Sequence, residues 1–426
     1  MLPVVDLLGL ALRALAETLK RPEYLMVLGL VLWFVYLQAA RTAAMEQHMF
    51  GIARRSSAQQ VVQALLLGTV GGFLASVLFI GVGISLSDTA IGVIWLLALV
   101  LMLAHPRFIC FAYAGGLVAL SSLLFGVPQT HVPAVVALVG VLHLVEAFLV
   151  WVSGHLSAMP MYIKQEDGHV VGGFMLQKVW PIPFVALLAV AVGREMLDAN
   201  LIQMPDWWPL LKPARMPGPG QELVYLLFPV VAALGYGDFT VSRDPRDKAR
   251  ESAGGLVLYS VLLLAMALGA TRWPVWAWIA ALFSPVGHEL LIQWGRWQER
   301  RARPVFVSEG GVMVLDVLPD SPAAQMGLRP GDLIVEVNGE PVRTRQELLS
   351  HLEPWAYDIE MVVENRLSPH LGRRKVRYGG RVPPLGVVPA PGPDEPRYVT
   401  LQNAGFLGRL WRQWQKRRRQ GPEGPV

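Results

Sequence analysis

The sequence predicts an α-helical polytopic membrane bundle of eight spans, with nine as the alternative, followed by a C-terminal α+β domain. Of 426 residues, 53% are hydrophobic and only 16% are charged, whereas soluble domains carry roughly 25% charged residues. The charges are also unevenly divided, because residues 1–295 hold 17 basic and 17 acidic side chains and the last 131 residues hold 20 and 15. The first part therefore suits lipid and the last part suits water, which excludes a single soluble enzyme.

Nine apolar runs make up the predicted membrane domain, residues 24–295. They lie at 24–38, 61–82, 91–104, 108–125, 132–152, 181–192, 222–235, 256–270 and 273–292. Several are shorter than the roughly 20 residues with which a helix crosses a bilayer, which leaves the span count open. Residues 1–23 precede them, and their pattern predicts an amphipathic helix at the interface whose side of the membrane stays open.

Loop charges predict the orientation. Loops 41–60, 105–107, 153–180 and 236–255 hold ten Lys and Arg residues, against four in the alternate loops. Four arginines then follow the last run between residues 296 and 303. Because basic loops stay in the cytoplasm, this pattern predicts a cytoplasmic C-terminal domain.

Few groups in the membrane domain suggest chemistry. The single cysteine, Cys110, cannot form an intrachain disulfide and lies in an apolar run, which favours packing. His143 and Glu146 share one helix face, so they are either a hydrogen-bonded pair that fixes helix packing or a metal or proton-relay pair. A zinc-protease helix needs a second histidine four residues after His288, where Ile292 stands. We therefore expect no catalytic residue, no metal and no cofactor.

A hairpin is predicted near residues 159–180, between the fifth and sixth runs. MYIK and HVVGGFML are short strand-like segments about an EDG turn. This hairpin, with Lys164 and Lys178, would lie on the cytoplasmic face as a docking surface or as a lid on the bundle.

The C-terminal domain, residues 304–402, alternates strands and short helices. In SPAAQMGLRPGDLIVEVNGEPV, Ser321 is a helix N-cap, Pro322 is the first helical residue and Gly327 ends the helix. Gly331 and Asp332 form the turn into the next strand, and Asn338-Gly339 predicts a hairpin turn. The order of these elements resembles the core of a bacterial PDZ domain.

The resemblance implies a groove that binds an extended peptide as an added strand. The segment PPLGVVPAP resembles the edge strand and carboxylate loop of PDZ domains, but it comes at the end of the domain, so we expect a circularly permuted PDZ fold. The predicted groove residues are Leu385, Gly386, Val387, Val388, Gln346 and Leu349. The alternative is a proline-rich edge strand without an open groove.

The tail, residues 403–426, predicts a basic amphipathic helix that lies on anionic lipid. Leu407, Leu410, Trp411 and Trp414 are spaced for one face, and Lys416 begins a run of four basic residues. Nucleic-acid binding is the weaker alternative and is not expected, and a solvated tail is the other.

The arrangement of spans followed by a PDZ domain resembles the MinJ-type topological determinants of Gram-positive bacteria. The segments RFICFAYAGGLVALSSLLFG and HLSAMPMYIKQEDGHVVGGF are similar to that family's membrane region. The resemblance implies a non-enzymatic adaptor that links the coiled-coil protein DivIVA to the division inhibitor MinD at septum and poles. The alternatives are an intramembrane protease or protease regulator, and a transporter with His143 and Glu146 as its coupling site.

Overall fold

The computed structural model describes residues 4–51, 56–165, 167–196, 202, 204–213, 217–352, 357–368, 370, 372–382, 384–392, 395 and 398–399. The basic tail predicted at 403–426 lies outside these residues. The described part of the chain forms a helical first part and a strand-rich C-terminal domain.

Helices dominate the first part. They are α1 (Val4–Thr18), α2 (Pro22–Phe50), α3 (Ser57–Val82), α4 (Ile91–Ala104), α5 (Phe111–Phe125), α6 (Val132–Ser153), α7 (Pro245–Ala270) and α8 (Val275–Arg301). Among the described residues, α2, α3, α6, α7 and α8 are long and apolar enough to cross a membrane, while α4 and α5 are shorter apolar helices. The span count of eight is therefore not reached by helices of that length.

Two predicted spans are strands instead. The segments 181–192 and 222–235 lie in β2 (Val170–Gly193) and β3 (Gln221–Thr240), which pair antiparallel. The helical prediction was wrong here because hydropathy does not distinguish a buried strand from a helix. The prolines at 181, 183 and 229 remove helical donors and favour extended backbone in the residues before them.

The sheet of the first part has the order β1-β2-β3, with β1 spanning Ala158–Lys164. Strands β1 and β2 occupy the position of the hairpin predicted near 159–180, but β2 continues well beyond it. Near its base, Trp180 Nε1 donates to Ser153 Oγ (3.1 Å), and near its tip the Ala189 amide donates to Ser85 Oγ (3.0 Å). Because Ser85 follows α3, the β2–β3 hairpin runs along that helix.

Small residues of α3 allow this close approach. A Cβ at Gly72 would overlap the carbonyl oxygen of Pro183, so only glycine fits there. One turn later, Ser76 Oγ accepts a 2.9 Å hydrogen bond from the Val185 amide. The strand therefore finds part of its hydrogen bonding on a helix, which satisfies buried backbone in an apolar region.

Helix α1 packs on the tip of the hairpin. Ala11, Ile80 and Leu187 form a small buried cluster, against which Trp208 and Tyr225 pack. This contact gives the predicted interfacial helix a protein partner, while its position relative to lipid stays a prediction.

The C-terminal domain is a six-stranded sheet with two short helices. Its elements are β4 (Val312–Val317), α9 (Pro322–Gln325), β5 (Asp332–Val337), β6 (Glu340–Pro341), α10 (Arg345–Ser350), β7 (Tyr357–Asn365), β8 (Arg373–Arg381) and β9 (Val387–Pro389). The strand order is β8-β7-β5-β4-β9, with β6 paired to β5. An apolar core that includes Val314, Ile334, Leu348 and Met361 lies under the sheet, so the domain has a core of its own.

Hydrogen bonds beyond the end of α8 fix the linker to the C-terminal domain. Glu299, at the end of α8, accepts hydrogen bonds from the Val241 amide and Ser242 Oγ, both at 3.0 Å. The Val305 amide, in the linker after α8, donates to the Val241 carbonyl at 3.0 Å. The linker to the C-terminal domain is therefore fixed to the end of β3.

Candidate peptide-binding site

The candidate site lies where β9 joins the sheet of the C-terminal domain. Strand β9 pairs antiparallel with β4, with Val387 opposite Val317 and Val388 opposite Asp316. The strand that comes last in the domain thus lies beside the first, at one end of the strand order. Peptide-binding domains extend an outermost strand by adding a ligand strand; in β9, Val388 is buried, while Val387 and Pro389 are half-buried.

The turn before β9 directs its carbonyl groups inward. The Leu385 carbonyl accepts from the Ala323 amide at 3.0 Å, and the Gly386 carbonyl accepts from the Leu318 amide at 2.8 Å. Within the described residues, the amides of Leu385 and Gly386 donate no hydrogen bond. Successive free amides in a turn are what a carboxylate needs.

Gly386 is required by the geometry of this turn. Its φ is +77°, and an added Cβ would overlap Ser321. Ser321 in turn caps α9, since its Oγ accepts from the Ala324 amide at 3.2 Å. The turn therefore lies directly against the N-terminus of α9. The side chain of Leu385, the turn residue before Gly386, is buried in the domain core.

Helix α10 carries the predicted opposite wall. Its start is a capping box, in which Thr344 and Glu347 each accept from the other's backbone amide. Leu348 is buried in the core, whereas Leu349 is 55% exposed and Gln346 is exposed. Leu349 is thus a large apolar side chain left open to solvent on this helix; its place in a groove stays a prediction.

The capping box also controls the charge of Glu347. Its carboxylate accepts hydrogen bonds from the Arg343 and Thr344 amides at 2.6 and 3.3 Å. The hydrogen bond from the Arg343 amide, followed by that from Thr344, holds the pKa of Glu347 below its ordinary value of 4.5. The helix keeps its negative charge at the N-terminus over the neutral range.

The other predicted PDZ residues occupy turns and caps. Pro322 is the first residue of α9, and Gly327 and Gly331 have φ values of +78° and +87°. Asp332 is buried, accepts from the Arg329 amide at 2.8 Å and pairs with Arg374. Asn338 and Gly339 both have positive φ in the turn between β5 and β6.

Sequence reasoning missed the contact between this site and the membrane part. Tyr162 Oη of β1 donates to the Pro389 carbonyl of β9 at 2.9 Å. Phe306 packs edge-on against Phe174 of β2, with centroids 5.3 Å apart. The sequence offered only the strand-like MYIK segment as a signal, and it could not tell which surface that strand would meet.

Among the described residues, no hydrogen bond joins His143 to Glu146. His143 Nδ1 donates to the Val139 carbonyl at 2.7 Å, and its Nε2 lies 3.1 Å from Cys110 Sγ. Cys110 packs against the apolar core of the first part, as predicted, and its sulfur also contacts this imidazole. The sequence could not show this, since 33 residues separate the two side chains.

Comparisons with known proteins found matches to the C-terminal domain and to longer stretches of the chain. Residues 313–353 match the model of the PDZ domain family. A stretch of 223 residues is 25% identical to the cell division topological determinant MinJ of Bacillus subtilis (strain 168), covering 52% of each chain. The chain spans about half the length of that relative. The chain is similar to MinJ-type PDZ proteins.

Two further relatives define how far the similarity extends. The Lacticaseibacillus paracasei protein named as a probable cell division topological determinant MinJ is 25% identical over 346 residues, or 77% of this chain and 84% of that protein. HhoB of Synechocystis, named as a candidate serine protease, is 46% identical over 46 residues, 11% of each chain. The MinJ relatives are named as topological determinants and not as enzymes, and the protease match is only partial.

Proposed function

We propose that this chain is a division-related membrane scaffold whose PDZ domain captures the C-terminus of a partner protein. The observation that carries the proposal is the turn at Leu385 and Gly386 beside strand β9, whose carbonyls accept from Ala323 and Leu318 and whose amides donate no hydrogen bond within the described part of the chain. A peptide carboxylate would accept from these amides while its chain extends β9, and its side chains would contact Gln346 and Leu349 of α10.

The proposed groove belongs to a circularly permuted PDZ domain. Its edge strand, Val387–Pro389, comes after all other strands of the domain and pairs with β4. The prolines at 389 and 391 are compatible with this role, since proline in sheets is found mainly at edges.

The PDZ domain faces the cytoplasm in this proposal. Basic residues of the loops and the arginines after α8 favour this side. The β2–β3 hairpin does not alter the assignment, because a hairpin leaves and returns on one side whether it crosses the bilayer or not. The tail at 403–426 would then meet anionic lipid on the same side.

The partners proposed from the MinJ relatives are DivIVA and MinD, which the scaffold would bring together at septum and poles. Protease activity is less well supported, because Ile292 stands where a zinc-protease helix has its second histidine. A transporter is also less well supported, since His143 is engaged by Val139 and Cys110 rather than by Glu146.

The first test is localisation of the protein in its host cell. A fluorescent fusion of the full chain should concentrate at septa and poles, and Leu349→Lys should disperse the signal around the membrane. Tyr357→Lys is the matched control, since Tyr357 is also a large exposed side chain of the domain, 68% exposed, but lies on β7. Uniform membrane signal for the unchanged protein would contradict the division role.

Binding to purified partners separates the groove from the localisation. Peptides with the C-terminal sequences of DivIVA and MinD, each with a free carboxylate or an amide, would be titrated into the purified chain. We expect the proposed groove to bind only the peptides with a free carboxylate, and we expect Leu349→Lys to lower this affinity. Equal binding of both forms, or of both lysine variants, would contradict the groove.

A further inference from the structure

Three helices of the membrane part place a cysteine and two histidines at one point. Cys110 precedes α5, His143 lies in the middle of α6 and His288 lies in the middle of α8. One ligand atom of each lies within 4.8 Å of the other two. Cys110 Sγ is 3.1 Å from His143 Nε2 and 3.7 Å from His288 Nε2.

We propose that Cys110, His143 and His288 bind a zinc ion that fastens α8 to α5 and α6. Zinc–sulfur and zinc–nitrogen bonds of about 2.3 and 2.0–2.1 Å place the ligand atoms of a tetrahedral site about 3.3–3.6 Å apart. Sulfur–nitrogen pairs lie at the long end of that range, and the observed Sγ–Nε2 separations of 3.1 and 3.7 Å are within about half an ångström of it. One thiolate and two imidazoles form a donor set that binds zinc in preference to magnesium or calcium.

The surroundings prepare two of the three ligands for a cation. His143 Nδ1 donates to the Val139 carbonyl, so the lone pair of the neutral ring lies on Nε2, which faces Sγ. Sγ accepts from the Ala112 amide at 3.4 Å, in the first turn of α5, and a helix N-terminus favours a thiolate. Both features match the usual outer shell of a zinc site.

Burial also argues for a ligand. His143 and His288 are 2% and 8% exposed, and the Nε2 atom of each ring lies next to Cys110 Sγ, where one cation would satisfy both nitrogens. Aromatic rings surround them, since Tyr259 meets both imidazoles edge-on at 5.4 and 5.7 Å. Two histidines in such surroundings are costly unless their nitrogen atoms are satisfied.

The polar approach to the site comes from the loop before α5. Cys110 is partly exposed, and the nearby Glu289 lies 3.2 Å from Arg107 and accepts from Tyr113 Oη at 2.6 Å. Gln293 Nε2 also donates to Glu289 at 2.7 Å, so three donors already engage this carboxylate. Three protein ligands remain for the ion, with a water molecule as the fourth.

A bound ion would affect the PDZ domain through α8. This helix continues from His288 to Glu299 and then into the linker at Val305. An ion that binds the folded bundle raises its stability by mass action. It would thereby fix the helix from which the C-terminal domain extends, and it would do so whether or not the groove binds a division protein.

The test uses the full chain, purified in detergent without a histidine tag and freed of metal by a chelator. Added Zn²⁺ should bind at one ion per chain and should raise the unfolding temperature. Co²⁺ in its place should give a thiolate-to-metal charge-transfer band. Absence of that band in the unchanged protein would overturn the proposal without any variant.

The single cysteine supplies a second measurement. Since Cys110 is the only thiol of the chain, Zn²⁺ should protect the unchanged protein from alkylation by a small maleimide. His288→Gln and His143→Gln should lose this protection and bind Zn²⁺ more than about 100-fold more weakly, beyond the loss seen for outer-shell changes. Because both variants keep the thiol, their metal-free alkylation rate also reports whether the bundle has folded.

His131→Gln is the matched control, since His131 lies outside the cluster at the start of α6. It should bind Zn²⁺ with unchanged affinity. Equal affinity of all three variants, or protection that persists in His288→Gln, would overturn the assignment of the ligands.

Discussion

Lys248 and Glu299 form a buried ion pair between the first turn of α7 and the last turn of α8. Lys248 Nζ lies 3.5 Å from Glu299 Oε1 and 3.6 Å from Asp238 Oδ2, and each partner of the pair is 1% exposed. Arg243 Nε lies 3.7 Å from the same Glu299 oxygen. One carboxylate thus serves two cations, a backbone amide and a hydroxyl at the exit from the membrane part.

The first prediction follows from this burial. Glu299→Ala should lower the free energy of unfolding by about 3–5 kcal/mol, because it removes one of the two counter-charges of the buried Lys248 ammonium and the acceptor of the Val241 amide. Denaturation of the full chain in detergent measures it. Glu222→Ala is the control, since its pair with Arg194 is exposed and exposed pairs contribute about 0–1 kcal/mol. Equal losses in the two variants would contradict the assigned role.

The second prediction tests the approach of β2 to α3. Gly72→Ala should destabilise the fold by about 1–3 kcal/mol, because its Cβ would overlap the Pro183 carbonyl oxygen. Gly81→Ala, in the same helix with nothing within 4 Å, should be neutral or stabilising by up to about 1 kcal/mol. If both alanines stabilise the protein, the hairpin does not lie against this face of α3.

The third prediction separates folding from binding in the PDZ domain. Gly386→Ala should destabilise the domain by about 1–3 kcal/mol, since it adds left-handed strain and overlaps Ser321. Gly379→Ala on β8, where the nearest atom is 3.8 Å away, should have little effect. A large substitution at Gly386 thus changes the fold together with the groove, so Leu349 is the better position for testing binding.

The fourth prediction concerns pH. Because the folded state holds the pKa of Glu347 below 4.5, its contribution is present above that value and is lost as pH falls through the folded pKa. Glu347→Gln keeps the capping box and should unfold like the unchanged protein at pH values below the folded pKa of Glu347, but should gain less stability as the pH rises from that pKa past 4.5. Identical pH profiles in thermal unfolding would contradict the role of this carboxylate.

Local signals were sufficient for most of the C-terminal domain. Ser321, Pro322, Asn338 and Gly339 specify a cap and a turn through the residues next to them, and the PDZ resemblance follows from their order. The segments at 181–192 and 222–235 were a different case, because apolar composition alone suits both a spanning helix and a buried strand. The prolines in them were the available sign of extended backbone.

By itself, the sequence determined the division into an apolar and a charged part, the PDZ core and the relationship to MinJ-type proteins. These properties depend on composition and on neighbours a few residues apart. Only the tertiary structure decided that β2 lies against the glycines of α3, that Tyr162 meets Pro389, and that Cys110 meets His143 and His288. The physical reason is distance along the chain, since 178 residues separate Cys110 from His288, and only the packing of whole helices brings such groups within ångströms of one another.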